Sequence, residues 1–248
     1  MIKHFIFDFD DTLCMTEEAG FYLENSVAFK LGHKPMDRKK HIMTWGRPLP
    51  EVISERVPGI NVPKFMLEIA IEMKKLTNER KFDLISSETL RTLRYLKNQG
   101  YVLSVLTSRV FTEVSHLFSS KYPLSGIISE DRFFYKERTY YHKPDPRVFI
   151  NMLEYLSAEA REVVYVGDSP TDAVASKLAG MSFVGSLESK LRAKKDFPRG
   201  FVDLFINNIA DLREIHTRIS NNCVSEKDTK VVLDTHGLSS VPHDYFRK

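Results

Sequence analysis

The sequence predicts an α/β fold: a Rossmann-like open parallel sheet with an α-helical segment inserted after the first strand. Several apolar runs are continuous rather than alternating, which is typical of strands buried on both faces. The four strongest runs cover residues 5–9, 101–106, 126–129 and 163–166. Two weaker runs cover residues 183–185 and 204–207. Helical patterns separate these runs, and that order favours parallel strands with helices on both faces.

The helices are predicted from the spacing of apolar residues. In residues 87–99, Leu90, Leu93 and Leu96 recur at three-residue spacing, and Gly100 supplies a stop signal. Residues 16–81 contain no strand-like run but several amphipathic stretches, which cover residues 17–31, 50–56 and 63–76. An insertion here lies over the carboxyl end of the first strand, where open α/β sheets bind ligands. We interpret it as a lid, with a purely structural subdomain as the alternative.

These patterns divide the chain into three parts. Residues 1–15 and 82–218 form the predicted core, residues 16–81 the helical cap, and residues 219–248 a C-terminal extension. The extension mixes polar residues with a short apolar run at 231–233 and is interpreted as a tail or an added strand. A chain of 248 residues accommodates a sizeable core with a smaller insertion.

Composition excludes several classes of protein. The 36 basic and 33 acidic residues give a net charge of +3, too small an excess to predict a nucleic-acid partner. The densest basic run, within residues 190–199, is interpreted as a solvated surface. Cys14 and Cys223 lack partners at zinc-ligand spacing and do not predict a disulfide framework. The sequence shows neither a signal peptide nor a membrane span, so we expect a cytoplasmic protein without a membrane partner.

The stretch FIFDFDDTLC at residues 5–14 carries the first chemical signal. Three apolar residues, Phe5 to Phe7, lead into Asp8, and Asp10 and Asp11 follow after Phe9. Because side chains alternate along a strand, Asp8 and Asp10 are predicted on one face and Asp11 on the other. Two carboxylates that face one space repel each other unless a cation lies between them. Mg²⁺ accepts oxygen ligands together with water and phosphate, so this stretch predicts a magnesium site.

The run VLTSR ends the second predicted strand with two hydroxyl residues. Thr107 can donate to a phosphoryl oxygen, and Ser108 follows with its backbone amide in the same turn. The alternative is that one of them caps a helix that begins near Phe111.

VVYVGDSPTD ends the fourth strand with Asp168 and adds Asp172 four residues later. Gly167 permits a tight turn and a close approach of the backbone. Capping by Asp168 or Ser169, with Pro170 at the first helical position, is the alternative, but it leaves the second acid unexplained.

Lys143 lies in HKPDPRVF, where two prolines fix the backbone before a helix. Such a lysine is usually a solvated charge. A phosphate surrounded by carboxylates nevertheless needs positive charge, and Lys143 can supply it.

These residues together match the four motifs of the haloacid dehalogenase-like hydrolase superfamily. FDFDDTL resembles the first motif, VLTSR the second, Lys143 of HKPDP the third, and GDSPTDAVASKLAGM the fourth. The resemblance spans residues 1 to about 215. A helical insertion after the first motif is similar to the cap of the phosphoglycolate phosphatase-like group.

The resemblance implies a Mg²⁺-dependent phosphatase that acts on a small phosphorylated metabolite, either phosphoglycolate-like or a sugar phosphate. Asp8 would attack phosphorus to give an aspartyl-phosphate, and Asp10 would protonate the leaving oxygen and then activate water. Asp8, Asp168 and the backbone carbonyl of Asp10 would hold Mg²⁺. Thr107, Ser108 and Lys143 would bind the phosphoryl group, and Asp172 would orient the lysine or a metal-bound water.

The sequence departs from the family pattern in two places. Asp11 stands where many sugar-phosphate mutases of this group carry Gly, a weak argument against a mutase, and is interpreted as a turn residue. LISSETL at residues 84–90 replaces the Pro–Gly pair common before the helix that precedes the second motif. In WGRPLPEV, Arg47 could meet a second anionic group of the substrate or could be a surface arginine. Trp45 is interpreted as part of the cap core.

Three other functions compete with the phosphatase. A sugar-phosphate mutase needs nearly the same catalytic residues, and a catalytically silent phosphate-binding protein could share the fold. A signalling receiver domain also uses acidic residues, a Thr and a Lys around Mg²⁺, but it needs an acceptor Asp in its third strand–helix unit, and the corresponding segment here is helical. The sequence leaves open whether the protein is a monomer or a homodimer.

Overall fold

A parallel six-stranded sheet lies at the centre of the computed structural model, which describes residues 1–221. Its strand order is β3-β2-β1-β4-β5-β6, and each pairing is parallel. The strands are β1 His4–Phe7, β2 Val102–Leu106, β3 Phe133–Phe134, β4 Val163–Gly167, β5 Ser182–Ser186 and β6 Leu204–Ile206. The predicted α/β class is confirmed. The prediction for residues 222–248, including the apolar run at 231–233, lies outside the described residues.

One predicted strand is wrong. Residues 126–129 form turns rather than a strand, with the amides of Ile127 and Ile128 both bonded to the carbonyl of Leu124. The two isoleucines are apolar because they are buried in the core beside the sheet. The third strand is instead the two-residue edge strand Phe133–Phe134, which is too short to give a pattern in the sequence.

Helices cover both faces of the sheet. They are α5 Ser87–Asn98, α6 Phe111–Val114, α7 Ile150–Leu156, α8 Pro170–Leu178 and α9 Leu212–Asn221. On one face Phe5 and Phe7 pack in a cluster with leucines of α5, and on the other Ile6 and Tyr165 pack with residues of α7 and α8. The α5 helix begins where the Ser86 side chain accepts from the Thr89 amide and ends before Gly100, whose φ of 90° suits a residue without Cβ.

The order of the strands places a ligand crevice at one edge of the sheet. From β1 the chain runs outward through β2 and β3, and β4 then returns to pair with the other side of β1. The loops that follow β1 and β4 therefore leave the sheet in opposite directions and open a crevice at the carboxyl ends of these strands. Asp8 and Asp168 are the first residues after these two strands.

The inserted segment forms a hydrophobic cluster of its own. It contains four helices: α1 Glu17–Lys30, α2 Arg38–Thr44, α3 Leu49–Arg56 and α4 Val62–Asn78. Apolar side chains such as Phe65 and Ile69 are buried among these helices. The segment's contacts with the rest of the chain include an ion pair of Glu51 with Lys136 and a hydrogen bond from Arg192 to the carbonyl of Ile42. The domain boundaries near residues 15 and 82 stay a prediction.

A network of charged groups is buried inside the helical insertion. The imidazole of fully buried His41 lies 2.8 Å from Glu17 Oε1 through Nδ1 and 3.4 Å from Glu24 Oε1 through Nε2. Arg56 donates to both oxygens of Glu24 at 2.8 and 2.7 Å. Burial opposes a charge on His41, but the hydrogen bonds to the two glutamates outweigh it and raise its pKa.

In residues 1–221, no helix combines the length and the apolar character needed to cross a membrane. A cytoplasmic location stays a prediction.

The raised pKa of His41 predicts how stability depends on pH. The folded pKa lies above the ordinary value of 6.5, so this stabilisation is fully present below pH 6.5 and is lost as pH rises through the folded pKa. The difference in unfolding free energy between the wild type and His41→Gln, of order 1 kcal/mol, should therefore shrink toward alkaline pH. Urea unfolding across this range measures it. His33→Gln, at a partly exposed site of the insertion, is the control. A difference that grows with pH would contradict the assignment.

Candidate active site

Asp8 lies at the carboxyl end of the central strand, and its carboxylate is buried. The backbone amide of Asp8 donates to the carbonyl of Val166 at 2.8 Å, which holds the residue against β4. Oδ1 of Asp8 accepts from the Phe9 amide at 2.8 Å and lies 3.0 Å from Nζ of Lys143. No hydrogen bond from residues 1–221 reaches Oδ2, which leaves this oxygen available to a metal ion or to phosphorus.

Lys143 connects Asp8 with Asp172. Its ammonium group donates to Oδ1 of Asp172 at 2.7 Å, and the hydroxyl of Tyr165 donates to the same oxygen at 3.1 Å. Burial opposes the charge of Lys143, but Asp172 and Asp8 outweigh this effect and raise its pKa. The lysine is therefore held as a cation beside Asp8. Sequence reasoning missed Tyr165, although a hydroxyl in the middle of an apolar strand signalled that it needs a polar partner.

Asp172 is fixed from its other side by the start of α8. Its Oδ2 accepts from the amide and the hydroxyl of Ser169 at 3.1 and 2.6 Å, and the Ser169 hydroxyl accepts from the Asp172 amide. Ser169 is thus the N-cap residue, and the capping alternative is correct for Ser169 and wrong for Asp168. Gly167 is required here because a Cβ on this residue would lie 2.6 Å from Cγ of Asp172.

Asp8, Asp168 and Asp172 form a cluster of carboxylates. One oxygen from each lies within 4.8 Å of the others. Burial, with repulsion from Asp172, raises the pKa of Asp8 to about 8 even though Lys143 opposes the shift. Burial and the neighbouring carboxylates likewise raise the pKa of Asp168. One ammonium group cannot balance three ionised carboxylates, so a further cation would stabilise the ionised cluster, and its oxygen ligands suit Mg²⁺.

The carboxylate of Asp10 has different partners from that of Asp8. It accepts from the Thr16 hydroxyl at 2.5 Å and from Nη2 of Arg109 at 2.6 Å. The buried guanidinium of Arg109 also donates to Asp83 at 2.8 and 2.9 Å, and Asp83 contacts His116 at 2.7 Å. Burial opposes the charge of Asp83, but Arg109 and His116 outweigh it and lower its pKa. Arg109 therefore joins Asp10 to the junction that follows the insertion.

Sequence reasoning missed both Arg109 and Asp83. Arg109 stood in VLTSR immediately after Ser108, but no partner could be assigned because Asp10 and Asp83 are distant in sequence. The sequence around Asp83 gave no indication that this residue is buried or paired. Its backbone has a φ of 53°, and its side chain is buried in the structure.

The two hydroxyl residues after β2 occupy different places. Thr107 is buried, and its Oγ1 accepts from the amide of Arg109 at 3.2 Å. Ser108 lines the cleft between the helical insertion and the sheet. The N-cap residue of α6 is Val110, so the capping alternative for Thr107 and Ser108 is wrong.

Asp11 attaches the helical insertion to the loop after β1. Its backbone has a φ of 55°, as expected for a turn residue, and its Oδ1 accepts from the amide of Thr16 at 3.0 Å. Its Oδ2 accepts from Nε1 of Trp45 at 2.5 Å. Burial raises the pKa of Asp11 to about 6. Asp11 is therefore a turn residue, as interpreted from the sequence, and it also binds the insertion through Trp45.

A cleft of about 520 Å³, counting its open mouth, separates the insertion from the sheet. It is lined by residues of α1, α3 and α4 and by the loops after β1 and β2, and Asp10 and Ser108 are among them. Trp45 and Arg47 line it from the insertion. The guanidinium of Arg47 pairs with Glu55 at 3.2 Å, and both side chains are about half exposed at 48% and 47%.

Residues 5–186 match the family described as haloacid dehalogenase-like hydrolase. A pyrophosphatase PpaX from Bacillus velezensis is 30% identical over 73% of this chain and 81% of its own length. A phosphoglycolate phosphatase from Haemophilus influenzae is 25% identical over 72% of this chain and 83% of its own. The crystal structure of CbbY from Rhodobacter sphaeroides in complex with phosphate has a TM-score of 0.72 at 21% identity, covering 86% of this chain and 96% of that one.

The chain belongs to the haloacid dehalogenase-like hydrolase family. The family resemblance predicted from the sequence, including the similarity to phosphoglycolate phosphatases, is confirmed. The protein is therefore an enzyme of the hydrolase class.

The charge of the carboxylate cluster predicts a response to Mg²⁺. At a Mg²⁺ concentration a hundredfold above Kd, the metal should stabilise the wild type by about 2.7 kcal/mol. Asp168→Asn should lose most of this response, yet should be more stable than the wild type in EDTA because one repelling charge is gone. Thermal unfolding with Mg²⁺ and with EDTA measures both effects. A full Mg²⁺ response in Asp168→Asn would contradict the assigned metal site.

The buried guanidinium between Asp10 and Asp83 predicts a large loss of stability on its removal. Arg109→Gln leaves two carboxylates without their counter-charge and should cost about 3–5 kcal/mol in chemical unfolding. Adding Asp83→Asn to this variant removes one of the unpaired charges and should restore part of the loss. Losses that simply add in the double variant would show that the two residues are not coupled.

Proposed function

We propose that the protein is a Mg²⁺-dependent phosphatase that hydrolyses a small phosphorylated metabolite through an aspartyl-phosphate on Asp8. The observation that carries the proposal is the contact of Lys143 with both Asp8 and Asp172 inside a buried cluster of three carboxylates. A phosphoryl group needs such a cation when its attacking group is itself an anion. The relatives named as phosphatases support the same reaction.

Asp8 is the proposed nucleophile. Its Oδ2, free of protein hydrogen bonds among residues 1–221, would form a bond to phosphorus while the bond from phosphorus to the leaving oxygen breaks. Lys143, the hydroxyl of Thr107 and the backbone amide of Ser108 would bind the oxygens of the phosphoryl group. Asp172, held by Ser169 and Tyr165, would keep the ammonium group of Lys143 beside Asp8.

Asp10 is the proposed general acid and base. In its protonated form it would donate its proton to the leaving oxygen, which departs as an alcohol. As a carboxylate it would then take a proton from the water that attacks the aspartyl-phosphate, releasing phosphate and restoring Asp8. Asp10 lines the cleft, so the leaving group is expected to lie there. The partners Arg109 and Thr16 would position the carboxylate for both steps.

Mg²⁺ would be held by Asp8, Asp168 and the backbone carbonyl of Asp10. When bound, it would supply positive charge that offsets repulsion between the carboxylates and the phosphoryl oxygens. The free Oδ2 of Asp8 and the carboxylate of Asp168, which accepts no hydrogen bond from residues 1–221, fit this requirement.

The proposal predicts that Asp8→Asn abolishes activity. Phosphate release from a panel of phosphomonoesters should fall by at least about a thousandfold in this variant because the amide cannot act as the nucleophile. EDTA should also remove the wild-type activity, and Mg²⁺ should restore it. Asp37→Asn is the matched control because Asp37 is an exposed cap of α2 and Asn serves equally well there.

Two outcomes would contradict the phosphatase. Phosphate release that survives Asp8→Asn or EDTA would exclude the mechanism. Turnover limited to a sugar phosphate, and dependent on an added sugar bisphosphate, would instead identify a mutase.

A further inference from the structure

The cleft beside Asp10 has an apolar surface. Five apolar side chains form this surface: Leu23 of α1, Leu49 of α3, Ile69 and Met73 of α4, and Phe82, which follows α4. These residues also belong to the hydrophobic cluster of the insertion, so the cleft reaches the interior of that cluster. Such a surface stabilises a bound group with an apolar body.

The cations that line the cleft already have carboxylate partners. Among the described residues these cations are three arginines, and no lysine or histidine lines it. Arg56 is buried and paired with Glu24, and Arg109 is buried between Asp10 and Asp83. The two buried guanidiniums are therefore not left to neutralise a second anion, and Arg47 already pairs with Glu55 at the exposed mouth of the cleft.

A buried carboxyl group without a basic partner also faces the cleft. Glu113 lines it and is buried, and its Oε2 accepts from the backbone amide of Val110 at 3.0 Å. No arginine or lysine side chain among the described residues forms an ion pair with this carboxyl group. Burial raises the pKa of Glu113 to about 7, so it is only partly charged near neutral pH. The excess negative charge beside the cleft therefore comes from Asp10 and Asp83, which share the single guanidinium of Arg109, and an anionic group placed in the cleft would meet it. Repulsion of this kind excludes partners of the wrong charge.

We propose that the substrate is the phosphate monoester of an alcohol with an apolar body and no further acidic group. This inference rests on the proposed phosphatase activity and narrows its substrate class. The phosphoryl group would bind beside Asp8 and Lys143, and the apolar part of the alcohol would occupy the cleft. Phosphoglycolate, whose leaving group carries a carboxylate, and pyrophosphate, whose leaving group is a phosphate, would be poor substrates.

A pair of aryl phosphates tests the charge of the leaving group. With Mg²⁺ present, 4-methylphenyl phosphate should have a kcat/KM at least about tenfold higher than 4-carboxyphenyl phosphate, which has a similar shape. Likewise, 3-methylbutyl phosphate should exceed phosphoglycolate and pyrophosphate. Equal or better turnover of the anionic compounds would overturn the inference while the phosphatase activity stands. Turnover of none of these compounds would overturn the proposed function and the inference together.

A charge variant tests the same point inside the protein. Glu24→Gln leaves Arg56 without its counter-charge and should raise the turnover of 4-carboxyphenyl phosphate relative to 4-methylphenyl phosphate several-fold. Glu68→Gln is the matched control, because Glu68 pairs with Lys30 on the surface of the insertion. A ratio that is unchanged in a folded Glu24→Gln protein would contradict the role of the Glu24–Arg56 pair.

A second variant pair tests the apolar surface and does not alter charge. Met73→Ala removes part of that surface, so kcat/KM should fall more for 4-methylphenyl phosphate than for methyl phosphate. Met66→Ala is the control, since Met66 lies on the same helix but does not line the cleft. Equal losses with both esters in Met73→Ala would show that the apolar body does not bind there.

Discussion

Three carboxylates and one ammonium group share a buried space where the two central strands end. Asp8 and Asp168 follow β1 and β4, and Asp172 is brought back to them by the first turn of α8. Excess negative charge in this space destabilises the ionised carboxylates unless a cation compensates it. The raised pKa of Asp8 reflects this destabilisation. The surrounding structure supplies one cation in Lys143, and the proposed Mg²⁺ would offset the remaining negative charge.

Much of this arrangement could be predicted from sequence because it depends on strand ends. Parallel strands bring their carboxyl ends to one edge, so acids that directly follow two apolar runs were expected to meet there. Asp8, Asp168, Asp172 and Lys143 do meet. The prediction of a strand at 126–129 was wrong because its isoleucines lie in a buried turn, and an apolar run alone does not distinguish a buried turn from a strand.

The contacts that could not be predicted are those between residues distant in sequence. Arg109 joins Asp10 and Asp83 across 99 and 26 positions, and Trp45 reaches Asp11 across 34. The sequence around each residue does not indicate its partner, because Arg109 and Asp83 taken alone are typical of surface charges and Trp45 of an aromatic core residue. Their effect is to connect the helical insertion to the two acids that follow Asp8. The part of the chain that shapes the cleft is thereby fixed to the residue proposed to protonate the leaving group.

The central claim, that Asp8 carries the phosphoryl group, is tested most directly by trapping the intermediate. The enzyme would be mixed with a phosphomonoester that it hydrolyses, quenched in acid within one turnover, and digested for mass spectrometry. The account predicts one phosphoryl group on the peptide that contains Asp8, labile to hydroxylamine as an acyl phosphate is. A single turnover that releases alcohol while Asp8 stays unmodified, or a phosphoryl group on another residue, would contradict it.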